Sequence, residues 1–448
     1  MHVLLAMLLT VLAPTEDGLV LGTTVEVEIR SSRPPASCTI DGLAAVPSGG
    51  WTALPYAERW LGRFALATTG RHELVLVATS GARTLAHFES TRAGPVAIGD
   101  LAAAHFLAAK PTTTLGWDWG PGVFLHGLHR FARVSKDRPR LLAATEAYYT
   151  HHLAKGLPKI DRPDPCAPAL GALALAREEG VASALPAARK VASYLASEPR
   201  NAVGAIDHLG ANSLYRALAI ASVILEPWAR SIWCDSLMMY GVFAAQWGHS
   251  QNDPALLDFG AAQPAIFAAL LQDPVTGLFT HAWDVRHARP LGVRWLRGNG
   301  WAAASTLDIL DELPANHPRR AQLERIAKDH LRGLAAVQMS SGLWDSVCDR
   351  PGASYAESSG SALAAYALAK GARMGLAPAG ARAKARHAFE ALVARLERRT
   401  DGFAVAGVSG ATNPTPMWIY TLVPRTADKD YGTGSFLLLA EELAKETW

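Results

Sequence analysis

An aspartate close to an indole, and an arginine set between two more, are the residues of this chain best suited to chemistry. Trp233-Cys234-Asp235-Ser236-Leu237-Met238-Met239 places a carboxylate where an apolar helical stripe (Met238, Met239, Val242, Phe243, Trp247) begins. Trp295-Leu296-Arg297-Gly298-Asn299-Gly300-Trp301 holds a fixed cation between two tryptophans on a glycine-rich turn. Acid, cation and flat aromatic surfaces are what an enzyme needs to protonate a negatively charged sugar. A carboxyl beside indole is desolvated, which favours its protonated form, whereas a helix N-terminus pulls the other way. Plain N-capping is the competing account of Asp235. Trp233 is expected on a loop, as a platform for a sugar ring. Arg297 is expected to clamp a substrate carboxylate, with Trp301 packed against the ring; its competing account is an ion pair with a structural carboxylate.

Other candidates are loop residues. His281, in Gly277-Leu278-Phe279-Thr280-His281-Ala282-Trp283-Asp284, sits on a short extended segment 16 residues before Arg297. Asp161 and Asp164 lie in a loop stiffened by Pro163, Pro165 and Pro168, just ahead of a helix that either could cap. Asp207-His208 is a weaker loop candidate. Trp117-Asp118-Trp119-Gly120-Pro121-Gly122 is aromatic and turn-rich, suited to lining a cleft and plugging a helical ring. No phosphate-binding glycine loop, GxSxG elbow or HExxH motif occurs, which disfavours a kinase, serine hydrolase or zinc protease.

Two kinds of element must position these residues. From about Leu19 to Arg92 the chain alternates, as in Thr24-Val25-Glu26-Val27-Glu28-Ile29-Arg30, and turn clusters separate the runs. A small antiparallel β-sandwich over 19–93 fits this spacing, and could bind sugar, aid dimerisation or cover one end of a main domain. From 94 to 448 the texture is alanine- and leucine-rich with helical period. Helices are predicted near 120–134, 139–155, 167–180, 183–198, 212–225, 235–248, 262–272, 300–312, 316–339, 358–374, 379–398 and 434–446. Twelve helices arriving largely in pairs predict a mainly α fold, an (α/α)6 toroid with a small N-terminal sandwich. A non-toroidal helical array gives the same count.

Composition narrows the partners. The 448 residues are half apolar, with 43 basic and 40 acidic side chains and a formal charge of +3. No basic run interleaves with aromatics, so no nucleic acid is expected. Cys38, Cys166, Cys234 and Cys348 form no CxxC pair or zinc-spaced cluster and are read as mostly buried, unpaired thiols. Residues 1–18 open on an apolar stretch ending at Pro14 that resembles the hydrophobic region of a secretory signal, though without a Lys or Arg ahead of it. A secreted or periplasmic location is the expectation, a cytoplasmic one the alternative. That stretch is too short to span a bilayer, and no later segment is expected to span one.

Taken in order, four pieces resemble glycoside hydrolase families 88 and 105, the unsaturated glucuronyl and rhamnogalacturonyl hydrolases. They are Trp233-x-Asp235-x-x-x-Met239, Trp295 to Trp301, Glu357-Ser358-Ser359-Gly360-Ser361-Ala362 following Gly342-Leu343-Trp344, and Asp430-Tyr431-Gly432-Thr433-Gly434-Ser435-Phe436-Leu437-Leu438. The likeness runs from about Trp117 to Leu443 and leaves the N-terminal strands out. It implies an (α/α)6 barrel, and hydration of a double bond in place of the two-carboxylate displacement of ordinary glycosidases. The implied substrate is an anionic oligosaccharide ending in a 4,5-unsaturated uronic acid. Carried over by position, Asp235 is the acid/base, donating a proton and then drawing one from water. Asp161 or Asp164 is the second aspartate, and Trp233, His281, Arg297 and Trp301 hold the uronate. His208 and Trp117 complete the candidate pocket. No metal or organic cofactor is implied. The segment from Asn201 to Pro227 is longer than the family pattern leads one to expect. Rival readings keep the toroid with epimerase or lyase chemistry, or make the protein a non-catalytic carbohydrate binder. Oligomeric state is not fixed by the sequence.

Overall fold

The computed structural model describes residues 9–54 and 58–445. Nine strands come first: β1 (Thr10–Ala13), β2 (Gly18–Leu21), β3 (Thr24–Arg30), β4 (Ser37–Ile40), β5 (Leu43–Ala44), β6 (Thr52–Ala53), β7 (Arg59–Ala65), β8 (Gly70–Val77) and β9 (Arg83–Thr91). They form two small sheets, β1-β3-β7-β6 and β2-β9-β8-β4-β5. Strand alternation sends Val25, Val27 and Ile29 of one sheet and Leu74, Leu76 and Phe88 of the other into a shared apolar cluster. The first eight residues of the leader-like stretch lie outside the described residues. Thr10–Ala13, which the sequence reading assigned to that stretch, pairs with β3 instead. The strand region therefore starts before Leu19; a short apolar run reads alike as a leader or a strand.

Fifteen α-helices follow among the described residues: α1 (Pro95–Ala109), α2 (Trp119–Ala132), α3 (Arg138–Lys155), α4 (Ala169–Glu178), α5 (Leu185–Ser197), α6 (Leu214–Ile220), α7 (Glu226–Ala229), α8 (Val242–Ser250), α9 (Pro254–Leu271), α10 (Leu296–Glu312), α11 (Arg320–Ala336), α12 (Ser358–Arg373), α13 (Ala381–Val393), α14 (Met417–Leu422) and α15 (Asp430–Ala444). Six of them close a ring, α2, α4, α8, α10, α12 and α15, in which α15 packs back on α2. The outer layer is α1 on α15, α3 on α2, α5 on α4, α9 on α8, α11 on α10 and α13 on α12. This is a toroid of helix pairs. The approach of α2 to α15 is set by glycine: a Cβ on Gly127 would fall 2.2 Å from the Gly434 carbonyl oxygen.

The twelve helices of the toroid match the number expected from sequence, although fifteen α-helices occur among the described residues and the membership differs. The predicted helix 212–225 is only the short α6 and a bend, whereas α1 was not foreseen. Its run Pro95-Val96-Ala97-Ile98 through Leu107-Ala108-Ala109 is apolar nearly all round, so it shows little amphipathic period. The helix predicted at 262–272 begins at Pro254, capped by the Asp253 side chain (3.1 Å to the Leu256 amide), and runs through Pro264, which reads as a break in sequence. The same helix corrects the expectation that no later segment is apolar and long enough to cross a bilayer: Pro254–Leu271 meets that test by length and composition. In the toroid it packs as an outer helix against α8.

All six ring helices run the same way. Their starts bring Trp119, Arg297, Ser359 and Tyr431 together: Trp119 packs on Tyr431 with ring centres 4.5 Å apart, and Arg297 lies over Tyr431 and touches Ser359. Their ends surround a cavity of about 290 Å3 lined by Arg130, Arg177, Gln246, Glu312, Lys370 and Lys445. Six aligned helix dipoles therefore turn their positive ends to one mouth and their negative ends to the cation-rich cavity. The N-terminal sheets dock on the outer layer beside α13. The Thr15 amide donates to the Ala394 carbonyl (2.9 Å), and buried Glu28 pairs with both Arg59 and Arg395.

Candidate active site

A three-stranded sheet at the mouth, β10 (Ser231–Trp233), β11 (Ala282–Asp284) and β12 (Arg289–Leu291), carries the first part of the site. Trp233 pairs with Ala282, and the Cys234 amide donates to the His281 carbonyl at 2.9 Å. Asp235 and His281 thus leave the same end of one antiparallel ladder. Beyond Asp235 the chain makes a π-helical turn, Leu237–Gly241, and runs into α8.

Asp235 Oδ2 lies 3.4 Å from His281 Nε2, an ion-pair approach that falls short of hydrogen-bond geometry. The His281 ring is fully buried, and its Nδ1 is 2.6 Å from the Tyr420 hydroxyl on α14. Burial works to raise the Asp235 pKa, but His281 first, and then His208 and a backbone hydrogen bond, together offset it and hold the carboxyl below its ordinary value. Asp235 is therefore ionised at neutral pH. The indole-driven upward shift expected from sequence is not what the geometry gives, because Trp233 turns its face elsewhere. That residue is buried on β10, not on a loop, and stacks on His208 with centres 4.0 Å apart and planes 10° apart. Its indole N–H donates to Ser231 Oγ at 2.7 Å.

His208 reaches the second aspartate. Its Nε2 is 3.6 Å from Asp164 Oδ1 and its Nδ1 is 3.0 Å from Ser236 Oγ, next in sequence to Asp235. Burial lowers the His208 pKa to about 4, so the ring is neutral at pH 7. Asp164 opens a 3-10 turn, Asp164–Cys166, and keeps 24% of its side-chain surface exposed. Burial, then the charges of Asp118 and Asp235, raise its pKa to about 7 against the pull of Arg162. Two carboxyls that feel one another's charge are thus driven apart, one protonated near neutrality and one ionised.

The loop bearing Asp164 is braced from two sides. Trp117 donates its indole N–H to the Pro165 carbonyl at 2.9 Å and stacks on Tyr148. Gly210, at φ +68°, lets the His208 loop approach so closely that a Cβ there would lie 2.0 Å from the Asp161 carbonyl oxygen. Trp117 and Gly210 are positioning residues. Asp161 itself turns to Arg162, 3.2 Å from its Nη1, and Asp207 turns away from His208 toward Arg216.

Arg297 and Trp301 need correction. Arg297 is 1% exposed, and its guanidinium donates to Ser409 Oγ (2.6 Å), the Ser409 carbonyl (3.1 Å), Ser359 Oγ (3.3 Å) and the Gly410 carbonyl (2.9 Å). Trp295 and Tyr431 cover its faces, and Glu357 stands 3.8 Å away. Trp301 is wholly buried in the apolar core. Arg297 ties the starts of α10 and α12 to the Ser409–Gly410 segment and Trp301 packs inside the ring, so in this structure neither presents a free surface to a sugar. Glu357, which caps α12 through the Ser359 and Gly360 amides, explains the Glu357–Ala362 motif in the same way.

A cation at the mouth beside the carboxyls is Arg162, which sequence reasoning passed over although it sits between Asp161 and Asp164. It stands 3.9 Å from both Asp118 and Asp164, with the Tyr215 ring 4.2 Å beneath it. Tyr420 was also missed; it comes from the distant α14, and nothing local marks it. All four cysteines are buried and unpaired. Among the described residues one trio has metal-ligand spacing, His129, Glu178 and Glu179. It lies at the far end of the ring helices, where Arg133 and Arg138 already occupy its carboxylates.

A closed ring of helix pairs with two carboxyls of divergent pKa at its mouth is the setting in which toroidal glycoside hydrolases work. The chain belongs to Glycosyl Hydrolase Family 88, whose model matches residues 102–447. It is 30% identical over 254 residues to the unsaturated rhamnogalacturonyl hydrolase YesR of Bacillus subtilis (strain 168), covering 56% of this chain and 70% of that protein. Among solved structures, the family 105 glycoside hydrolase of C. acetobutylicum ATCC 824 superposes with a TM-score of 0.68 at 22% identity, covering 78% of this chain and 99% of the other. The unsaturated glucuronyl hydrolase of Bacillus sp. GL1 gives 0.59 at 17% identity, covering 77% and 95%. At such identities these two structures speak for the fold.

Proposed function

We propose that this protein removes a 4,5-unsaturated uronic acid from the non-reducing end of oligosaccharides by hydrating its C4=C5 bond, with the Asp164–Asp235 pair handling the proton. The observation that carries this is the split itself: Asp164 titrating near 7 and Asp235 held ionised beside His281. The substrate double bond is an enol ether, so a proton delivered to C4 leaves an oxocarbenium centre at C5. Water adds at C5 and gives up a proton to a carboxylate. The resulting hemiketal opens to a 5-keto acid, and the neighbouring sugar departs from C1. One proton enters at C4 and one is recovered from water, so the proton count of the pair is unchanged, and where donor and acceptor differ a proton passing back through solvent restores the starting state.

Sequence reasoning gave both steps to Asp235. The resident proton on Asp164 favours a division instead, with Asp164 as acid and Asp235 as base. An anionic substrate suits a mouth ringed by helix N-termini, and Arg162 supplies the guanidinium beside the carboxyls. The names of the relatives, which act on unsaturated rhamnogalacturonyl and glucuronyl substrates, support the same substrate class.

The test follows the ultraviolet absorbance of the conjugated alkene in lyase-generated disaccharides. Wild-type protein bleaches it. Asp164→Asn and Asp235→Asn each lower kcat by about 10²–10⁴-fold, the usual worth of a positioned acid or base. Full activity in Asp164→Asn would return both steps to Asp235; full activity in both variants would refute the assignment.

A further inference from the structure

Asp207 and His208 sit back to back. The segment runs beside β10, with the His208 amide donating to the Ser231 carbonyl at 2.8 Å, so successive side chains leave on opposite sides. His208 faces Asp164 in the cleft. Asp207 faces a second cavity of about 320 Å3, lined by Arg200, Asn201, Arg216, Arg230 and Arg286.

Four guanidinium groups, one from α6 and three from separate loops and turns, line this cavity together with one carboxylate, Asp207. Arg216 Nη1 donates to Asp207 Oδ2 at 2.8 Å, and Asn201 donates to Asp207 Oδ1 at 2.9 Å. Arg200 is held by the Glu198 and Leu195 carbonyls and lies over Phe259. Arg286 reaches Glu226 with one nitrogen only. Arg230, at the entry to β10, is exposed, and among the described residues its guanidinium has no hydrogen-bond or ion-pair partner. With Asp207, Glu226 and Glu198 counted against the four arginines, the cavity keeps an excess of about one positive charge, and each guanidinium has more N–H donors than it uses.

We propose that this cavity is a second binding site, separate from the catalytic cleft, for an oxyanion: a free sulfate-like ion or the carboxylate of an acidic sugar. Arg230 and Arg286 are its free arms. An oxyanion between them satisfies unused donors and relieves repulsion among the guanidinium groups. The volume admits an inorganic anion or one uronate ring. The assignment does not depend on the reaction proposed above.

Sodium sulfate and sodium glucuronate are titrated separately at constant ionic strength, with the melting temperature read at each concentration. The wild-type protein is expected to show a saturable rise with at least one of them, the responding anion identifying the source. Arg230→Ala, and more so Arg230→Ala with Arg286→Ala, raises the half-saturating concentration at least tenfold; both side chains are exposed, so the fold is kept. Asp235→Asn leaves the response intact. A response that never saturates, that survives in the double arginine variant, or that disappears in Asp235→Asn overturns the second site.

Discussion

At the residue scale, the proposed function rests on two aspartates whose surroundings drive their protons apart. Asp164 is raised to about 7 by burial and by the charges of Asp118 and Asp235. Its acid form is lost as pH rises through that value, so kcat/KM is expected to fall above about pH 7, since that parameter reports the free enzyme. Asp118→Asn removes a like charge while keeping a residue able to cap α2, and so lowers the Asp164 pKa. The alkaline limb of the kcat/KM profile then moves to lower pH; an unmoved limb would show that another group sets it. Asp235, His281, Asp164 and His208 were all visible as candidates because short motifs and loop prolines marked them. Their electrostatics were not visible. The neighbour that decides the Asp235 proton is His281, which the antiparallel pairing of β10 with β11 brings alongside, not the tryptophan nearest in sequence. Arg297 misled for a related reason: a cation between two tryptophans reads the same whether it grips a sugar or the Ser409 and Gly410 carbonyls.

At the element scale, parallel ring helices create one electropositive mouth and one electronegative end, and the chain answers each. Asp308, Lys370 and Arg130 form a buried ionic cluster near the C-terminal ends. Burial opposes the charge of Asp308, but Lys370 and Arg130 hold its pKa far below the ordinary carboxylate range. A depressed carboxyl contributes stability that is complete above its unfolded value of about 4 and is lost as pH falls below it. Asp308→Asn removes one of two carboxylates from Lys370, leaving the more exposed Asp311, and is expected to cost about 1–3 kcal/mol at pH 7, with a weaker acid dependence, read by denaturant unfolding. Gly127→Ala drives a methyl into the Gly434 backbone and should destabilise by about 1–3 kcal/mol, without changing the pH profile of what activity survives. Helix pairing was legible from period and punctuation. The largely apolar α1 and the proline-interrupted α9 were not, since each lacks the polar stripe that marks a helix in sequence.

At the scale of the whole molecule, two apolar clusters, one between the N-terminal sheets and one within the toroid, are joined across a seam beside α13. Glu28 is the pivot of that seam, buried between Arg59 and Arg395. Glu28→Ala strands two cations and is expected to lower stability by about 3 kcal/mol, seen as a fall in Tm with kcat kept; an unchanged Tm would mean the seam is only a surface contact. The account as a whole stands on hydration of the alkene. Running the reaction in heavy water and examining the earliest product by NMR tests it most directly. One deuterium bound at C4 of the released acid is the predicted result. A released sugar that keeps its double bond and carries no deuterium at C4 would contradict it.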